Sequence, residues 1–188
     1  MEEAVITETE TTELDGLELI DPGSELLKRA PTPFDFELDN AEELSEQLIE
    51  AMKKLGGVGL SANQVGIDKS VFVIGDQGDF TKTFFNPVVV GVSEETEVMK
   101  EGCLSFPGLW LMVSRPKQAM IKYWDEEGEE HMETYEGVTS RVIKHEYDHM
   151  LGHNFTYRVS KIKLDRALKA IDKKIKKYQR RQAQAKQA

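Results

Sequence analysis

The chain has 188 residues, a formal net charge of −10 and a single cysteine. That length suits one domain with a substantial core, and one cysteine excludes an internal disulfide and fits a reducing compartment. No apolar run reaches the roughly 18–20 residues of a membrane span.

Residues 1–13 are mostly Glu and Thr, have little to bury, and are expected to be disordered. They lack the basic segment and apolar run of a signal peptide, so a soluble, cytoplasmic protein is expected. From Leu17 the text suggests a short strand, a turn and a helical turn through Lys28, and Pro31 and Pro33 then enforce extended chain. Asn40 is a good N-cap with Glu43 at the capping-box position. Leu44, Leu48, Ala51, Met52 and Leu55 follow at helical spacing, and Gly56 and Gly57 end that helix. Residues 57–66 read as a glycine-rich loop that a ligand can approach closely. Gln64, within it, can donate an amide hydrogen to a substrate carbonyl oxygen as that oxygen gains charge.

Residues 70–75 and 84–92 read as strands, the second interrupted at Asn86-Pro87, with a loop over 76–82 between them. Residues 118–124 and 130–135 read as a hairpin joined by an acidic, glycine-containing turn. No crossover helices separate these strands. The expected fold class is therefore α+β, with antiparallel or mixed β-sheets packed around a central helix at 138–151, flanked by an N-terminal helix and a C-terminal amphipathic helix. In the last of these, Leu164, Leu168, Ile171, Ile175 and Tyr178 form a stripe expected to dock on the domain in its first turns. Residues 161–188 hold 11 Lys+Arg against 2 Asp+Glu, a local net of +9, leaving 13 basic and 32 acidic residues, net −19, in the first 160. Such asymmetry points to a basic tail with an anionic partner, RNA phosphates being one candidate.

The central helix carries His145-Glu146-Tyr147-Asp148-His149. Histidines four apart share a helix face and can reach one metal ion, with Glu146 placed to move a proton. A third ligand is needed. Position 155, where a longer HExxH pattern would put a histidine, is Phe, and the downstream helix is poor in acids. The upstream Cys103 is the remaining candidate, since a thiolate is a strong ligand for zinc or ferrous iron. The expectation is a Cys103/His145/His149 site whose fourth position holds a water, with Glu146 as general base. His131 reads as structural or exposed, and His153 as structural or a partner of the helix C-terminal dipole, not as a ligand.

Three blocks in order carry a resemblance: Gly57-Val58-Gly59-Leu60-Ser61-Ala62-Asn63-Gln64, Glu101-Gly102-Cys103-Leu104-Ser105, and His145-Glu146-Tyr147-Asp148-His149. With the segments between, residues 17–165 resemble the peptide deformylases. Ser61 stands where alanine is usual and Met150 where leucine is usual; neither is expected to touch a reacting group. The resemblance implies removal of the N-formyl group from formyl-methionyl nascent peptides, with one divalent metal per chain. The resemblance further implies that this metal is Fe2+ in the cell, replaceable by Zn2+, Ni2+ or Co2+. It implies that the Leu104 N–H joins Gln64 at the oxyanion, that the backbone near Gly59 and Gly102 grips the peptide, and that Val58, Met99, Glu101, Val138, Arg141 and Val142 line the methionine pocket. Arg115 matches a family arginine that supports the loop or meets substrate, and support is the expectation. The resemblance also implies a basic C-terminal helix that reaches the ribosome. The expected organisation is an extension at 1–13, a catalytic domain at 14–160 and a basic helix and tail at 161–188. Two rival functions remain: a zinc endopeptidase using the same HExxH, and a metal-stabilised RNA-binding module without turnover. An inactive relative is a third, although the three blocks keep every reacting residue.

Overall fold

The structure, a computed structural model, describes residues 17–76 and 78–185. The acidic segment 1–13 lies outside those residues. Helix α1, Ala41–Lys54, begins where expected: the Asn40 side chain accepts the Glu43 N–H at 3.1 Å. It ends as the N–H groups of Gly56 and Gly57 return to the Lys53 and Met52 carbonyls, which satisfies carbonyls the helix itself cannot. Its apolar face, including Leu44, Leu48 and Met52, is buried against Leu60, Val71, Val73 and Phe85.

Seven strands follow: β1 Gly59–Ser61, β2 Val71–Gly75, β3 Thr81–Val92, β4 Thr96–Glu101, β5 Leu111–Pro116, β6 Gln118–Trp124 and β7 Glu130–Glu136. Five of them form an antiparallel sheet in the order β1-β2-β3-β6-β7, and β4 pairs with β5 in a separate two-stranded ribbon. The expected β6–β7 hairpin is present, closed by the Asp125 N–H on the Glu129 carbonyl.

Several expectations need correction. Residues 17–20 form no strand. The stretch expected as a loop over 57–66 contains β1 and a 3-10 turn, Ala62–Val65. Strand β3 starts at Thr81, inside the expected loop, because Thr81 and Lys82 pair with Gly75 and Ile74. Nor does Asn86-Pro87 break β3. Asn86 takes a left-handed φ of 46° at a register shift, and its side chain is braced by both the N–H and the carbonyl of Phe34. The strand therefore bulges and continues.

Helix α2, Gly137–Met150, lies against the large sheet: Val142, Ile143, Tyr147 and Met150 pack on Phe72, Ile74, Phe84, Ile121 and Tyr123. Each apolar side chain fully buried there stabilises the fold by roughly 1.5–3 kcal/mol. The helix's other buried face is polar and carries His145, Glu146, Asp148 and His149. Just past its end, Gly152 has φ +70°, and a Cβ there would sit 2.6 Å from the Arg29 backbone. Gly152→Ala is expected to destabilise the protein by about 3 kcal/mol through backbone strain and overpacking, read as a lowered urea midpoint with unchanged slope.

Helix α3, Lys161–Ala185, docks through Leu164, Ala167 and Ile171 on Leu109, Leu111, Val113 and Phe155. Leu168 and Ile175 of the expected stripe are 43% and 39% exposed, so the docked face is narrower than the stripe. Among the described residues no helix is long and apolar enough to cross a membrane.

Candidate metal centre and active site

The four-residue spacing on α2 stacks His145 and His149 one turn apart, with ring centroids 5.6 Å apart. Cys103 arrives from the turn after β4, closed by the Phe106 N–H on the Cys103 carbonyl at 2.9 Å. Its Sγ lies 3.5 Å from His149 Nε2, and one donor atom from each of Cys103, His145 and His149 falls within 4.8 Å of the others. His145 Nδ1 is 3.1 Å from Glu101 Oε2, which leaves Nε2 for the cluster. One thiolate and two imidazoles suit Zn2+ or Fe2+, so these residues fit the metal implied by the sequence. Burial and the neighbouring His145 push His149 down to about 3, which keeps it in the neutral, ligating form. Burial also works against a charged His145, but hydrogen bonds to Cys103 and Glu101 outweigh it and push that group up to about 10.

Glu146 projects beside this cluster. It is buried, its Oε2 has no hydrogen-bond partner, and burial pushes its pKa up to about 7. Gly59 of β1 makes room for the carboxylate: a Cβ at position 59 would collide with Glu146 Oε1 and would come within 2.9 Å of Val142 Cγ1.

Gln64 sits in the 3-10 turn after β1. Its Nε2 lies 3.3 Å from Cys103 Sγ and donates to Ser105 Oγ at 2.9 Å. Its Oε1 accepts from the Ser61 N–H at 3.0 Å and from the Ser61 hydroxyl at 2.9 Å. Ser61 was expected to stand clear of the reacting groups; instead its hydroxyl helps to fix the Gln64 amide. Ser61→Ala is expected to lower kcat about 2- to 10-fold with little change in KM, the loss of one buried hydrogen bond of about 1 kcal/mol. Steady-state kinetics on the substrate that the resemblance implies check this.

Glu101 and Arg141 both border the cavity, but their charged ends face into the protein. Arg115 donates Nε to Glu101 Oε1 at 2.7 Å and Nη2 to Oε2 at 2.9 Å. Arg141 donates to Glu101 Oε1 and to the Val113 and Glu97 carbonyls. Burial alone would raise the Glu101 pKa, but His145 and Arg115 bring it down to about 2. Glu101 is thus placed to orient His145, and Arg115 is turned onto Glu101, Asp148 and the Lys144 carbonyl.

A cavity of about 490 Å³ opens onto the centre. Every residue singled out from the sequence for binding or chemistry lines it except His149, which is buried. Sequence reasoning missed Phe106, Pro107 and Trp110, which also line it. The aromatic text directly after Ser105 was the available signal. The Trp110 ring covers Gly102, where a Cβ would come within 3.0 Å of it.

A family model described as polypeptide deformylase matches residues 17–165. The peptide deformylase of Thermotoga petrophila is 41% identical over 138 residues, spanning 73% of this chain and 83% of that protein. That of Fusobacterium nucleatum is 38% identical over 122 residues, spanning 65% and 70%. Among solved structures, a peptide deformylase from Synechococcus elongatus in complex with actinonin superposes with a TM-score of 0.77 at 32% identity, covering 83% of this chain and 88% of that one. The enzyme from Thermotoga maritima gives 0.71 at 37% identity, covering 77% and 97%. The chain belongs to the polypeptide deformylase family, metal-dependent enzymes that remove the N-formyl group from nascent polypeptides.

Proposed function

We propose that this deformylase acts on the leading formyl-methionine of new polypeptides through one divalent metal held by Cys103 Sγ and the Nε2 atoms of His145 and His149. When bound, such an ion lowers the pKa of a coordinated water toward neutrality and polarises the formyl carbonyl. Glu146 accepts the proton of the attacking water and returns it to the methionine amine as formate leaves. The observation that carries this reading is the buried, partnerless Glu146 Oε2 beside the three donor atoms. A carboxylate with a pKa near 7 gains and loses a proton readily at neutral pH. Gln64 Nε2 and the Leu104 N–H donate to the carbonyl oxygen as charge develops. Val58, Met99, Val138 and Val142 accept the methionine side chain, Met99 adapting to its shape. The backbone at Gly59 and Gly102 holds the peptide, and Glu101 and Arg141 keep the wall and His145 in place.

Fe2+ is the proposed cellular metal, with Zn2+, Ni2+ or Co2+ able to replace it. The basic face of α3, including Lys169, Lys173 and Lys177, is proposed to meet ribosomal RNA in the cytoplasm. Binding of that kind weakens steeply with salt. The test of the reaction is formate release from a short formyl-Met peptide by anaerobically handled protein, with an N-acetylated, internally cleavable peptide as control. Formate from the first without cleavage of the second is expected; cleavage of the second would favour a peptidase.

A further inference from the structure

We propose that Arg158 is a positioning residue for His145, acting through Asp148, Arg115 and Glu101; this rests on the reading of Cys103, His145 and His149 as a metal site. Arg158 ends the 3-10 turn Phe155–Arg158, outside all three sequence blocks, and its side chain is 45% exposed. It reaches inward with a fork: Nη2 donates to Asp148 Oδ1, and Nε donates to Asp148 Oδ2 at 3.1 Å. Asp148, on α2 between the two histidines' turns, is almost completely buried. Its Oδ2 also receives Arg115 Nη1 at 2.9 Å, and the same nitrogen donates to the Lys144 carbonyl at 3.1 Å. The remaining edge of Arg115, Nε and Nη2, is free to grip both oxygens of Glu101. Glu101 Oε2 in turn meets His145 Nδ1.

Charges alternate along this line: Arg158, Asp148, Arg115, Glu101. Without Arg158, Asp148 keeps one cationic partner for two buried oxygens. An unpaired buried carboxylate oxygen is costly, so Arg115 is drawn toward Asp148 and loosens its fork on Glu101. Glu101 then fixes the His145 ring less well. The partners behind a metal-binding histidine commonly set metal affinity by factors of about 10–100.

The test is the rate of nickel release to excess chelator from nickel-loaded full-length protein, measured with the melting temperature of the same loaded samples. Arg158→Ala is expected to release nickel about 10-fold faster. Arg158→Lys, whose single ammonium cannot fork, falls between, and serves if the alanine variant does not fold. Lys161→Ala, at an exposed position nearby, is expected to match wild type. In a Glu101→Gln background, Arg158→Ala is expected to add no further acceleration, because the line to His145 is already cut. A lowered melting temperature with wild-type release, or equal acceleration in both backgrounds, would overturn the positioning role. Failure of the wild-type chain to take up one nickel per chain would instead overturn the metal site itself.

Discussion

Glu146→Gln is expected to keep one metal per chain and to release formate about 10²- to 10⁴-fold more slowly. Glutamine preserves the shape and fills the same space against Gly59, but its amide cannot take the proton of water. The three proposed ligands are untouched, so metal analysis on the variant separates loss of a base from loss of the ion. In the proposed role its burial, which pushes its pKa up to about 7, suits a base near neutral pH, and among the described residues the only other carboxylate lining the cavity is that of Glu101. Glu101, the nearest acidic neighbour of His145, is held well below the usual range by His145 and Arg115. Near-normal turnover by the variant would assign the proton transfer to another group.

Gly59→Ala is expected to cost about 10²-fold in kcat while metal content is retained. The added methyl would meet the Glu146 carboxylate and Val142 Cγ1 together. Val142 is β-branched and stands on α2, so its χ1 has little freedom to yield. The carboxylate is the movable partner, and displacing a catalytic group by about 1 Å can cost about two orders of magnitude. Kinetics with a formyl-Met peptide, alongside metal analysis, check the prediction. Wild-type kcat in the alanine variant would show that Glu146 has room to spare and that its placement does not depend on β1.

Much of this was legible from residues whose pattern has a single physical solution. Helix α1 announces itself through Asn40, Glu43 and a regular apolar face, and α2 through its paired histidines. The elements that were missed lack such a pattern. In β4, Thr96, Glu97, Val98 and Lys100 are all exposed, so no apolar alternation marks the strand. In β5 the inward positions are Leu111, Val113 and Arg115, and a buried arginine disguises the alternation until Glu101 and Asp148 are seen to satisfy it. Strand β1 has three residues, all buried, too few for any periodicity. The candidate donors Cys103, His145 and His149, which the structure brings together, stood out because metal chemistry restricts residue types; Leu104 and the pocket residues rested on the family resemblance, and no side-chain orientation was legible. That Glu101 and Arg141 turn their charges into the protein, and that the Ser61 hydroxyl holds Gln64, follows only once β1, β4, β5 and α2 are set beside one another. On α3 the spacing marked the stripe and its docking in the first turns, but spacing alone does not show that Leu168 stays 43% exposed there.

The HExxH spacing is shared by several hydrolytic chemistries, and what distinguishes the proposed centre is its third candidate donor, Cys103, beside Gln64. The measurement that tests this most directly is a metal titration of formate release. The protein is stripped with a chelator and reloaded with nickel in sub-stoichiometric steps, while formate release from a formyl-Met peptide is followed. Activity is expected to be absent from the stripped chain, to rise linearly and to plateau at one nickel per chain, with Cys103→Ala failing to recover at that ratio. Formate release from the stripped chain, or full recovery by Cys103→Ala at one equivalent, would contradict a Cys103/His145/His149 centre as the seat of the reaction.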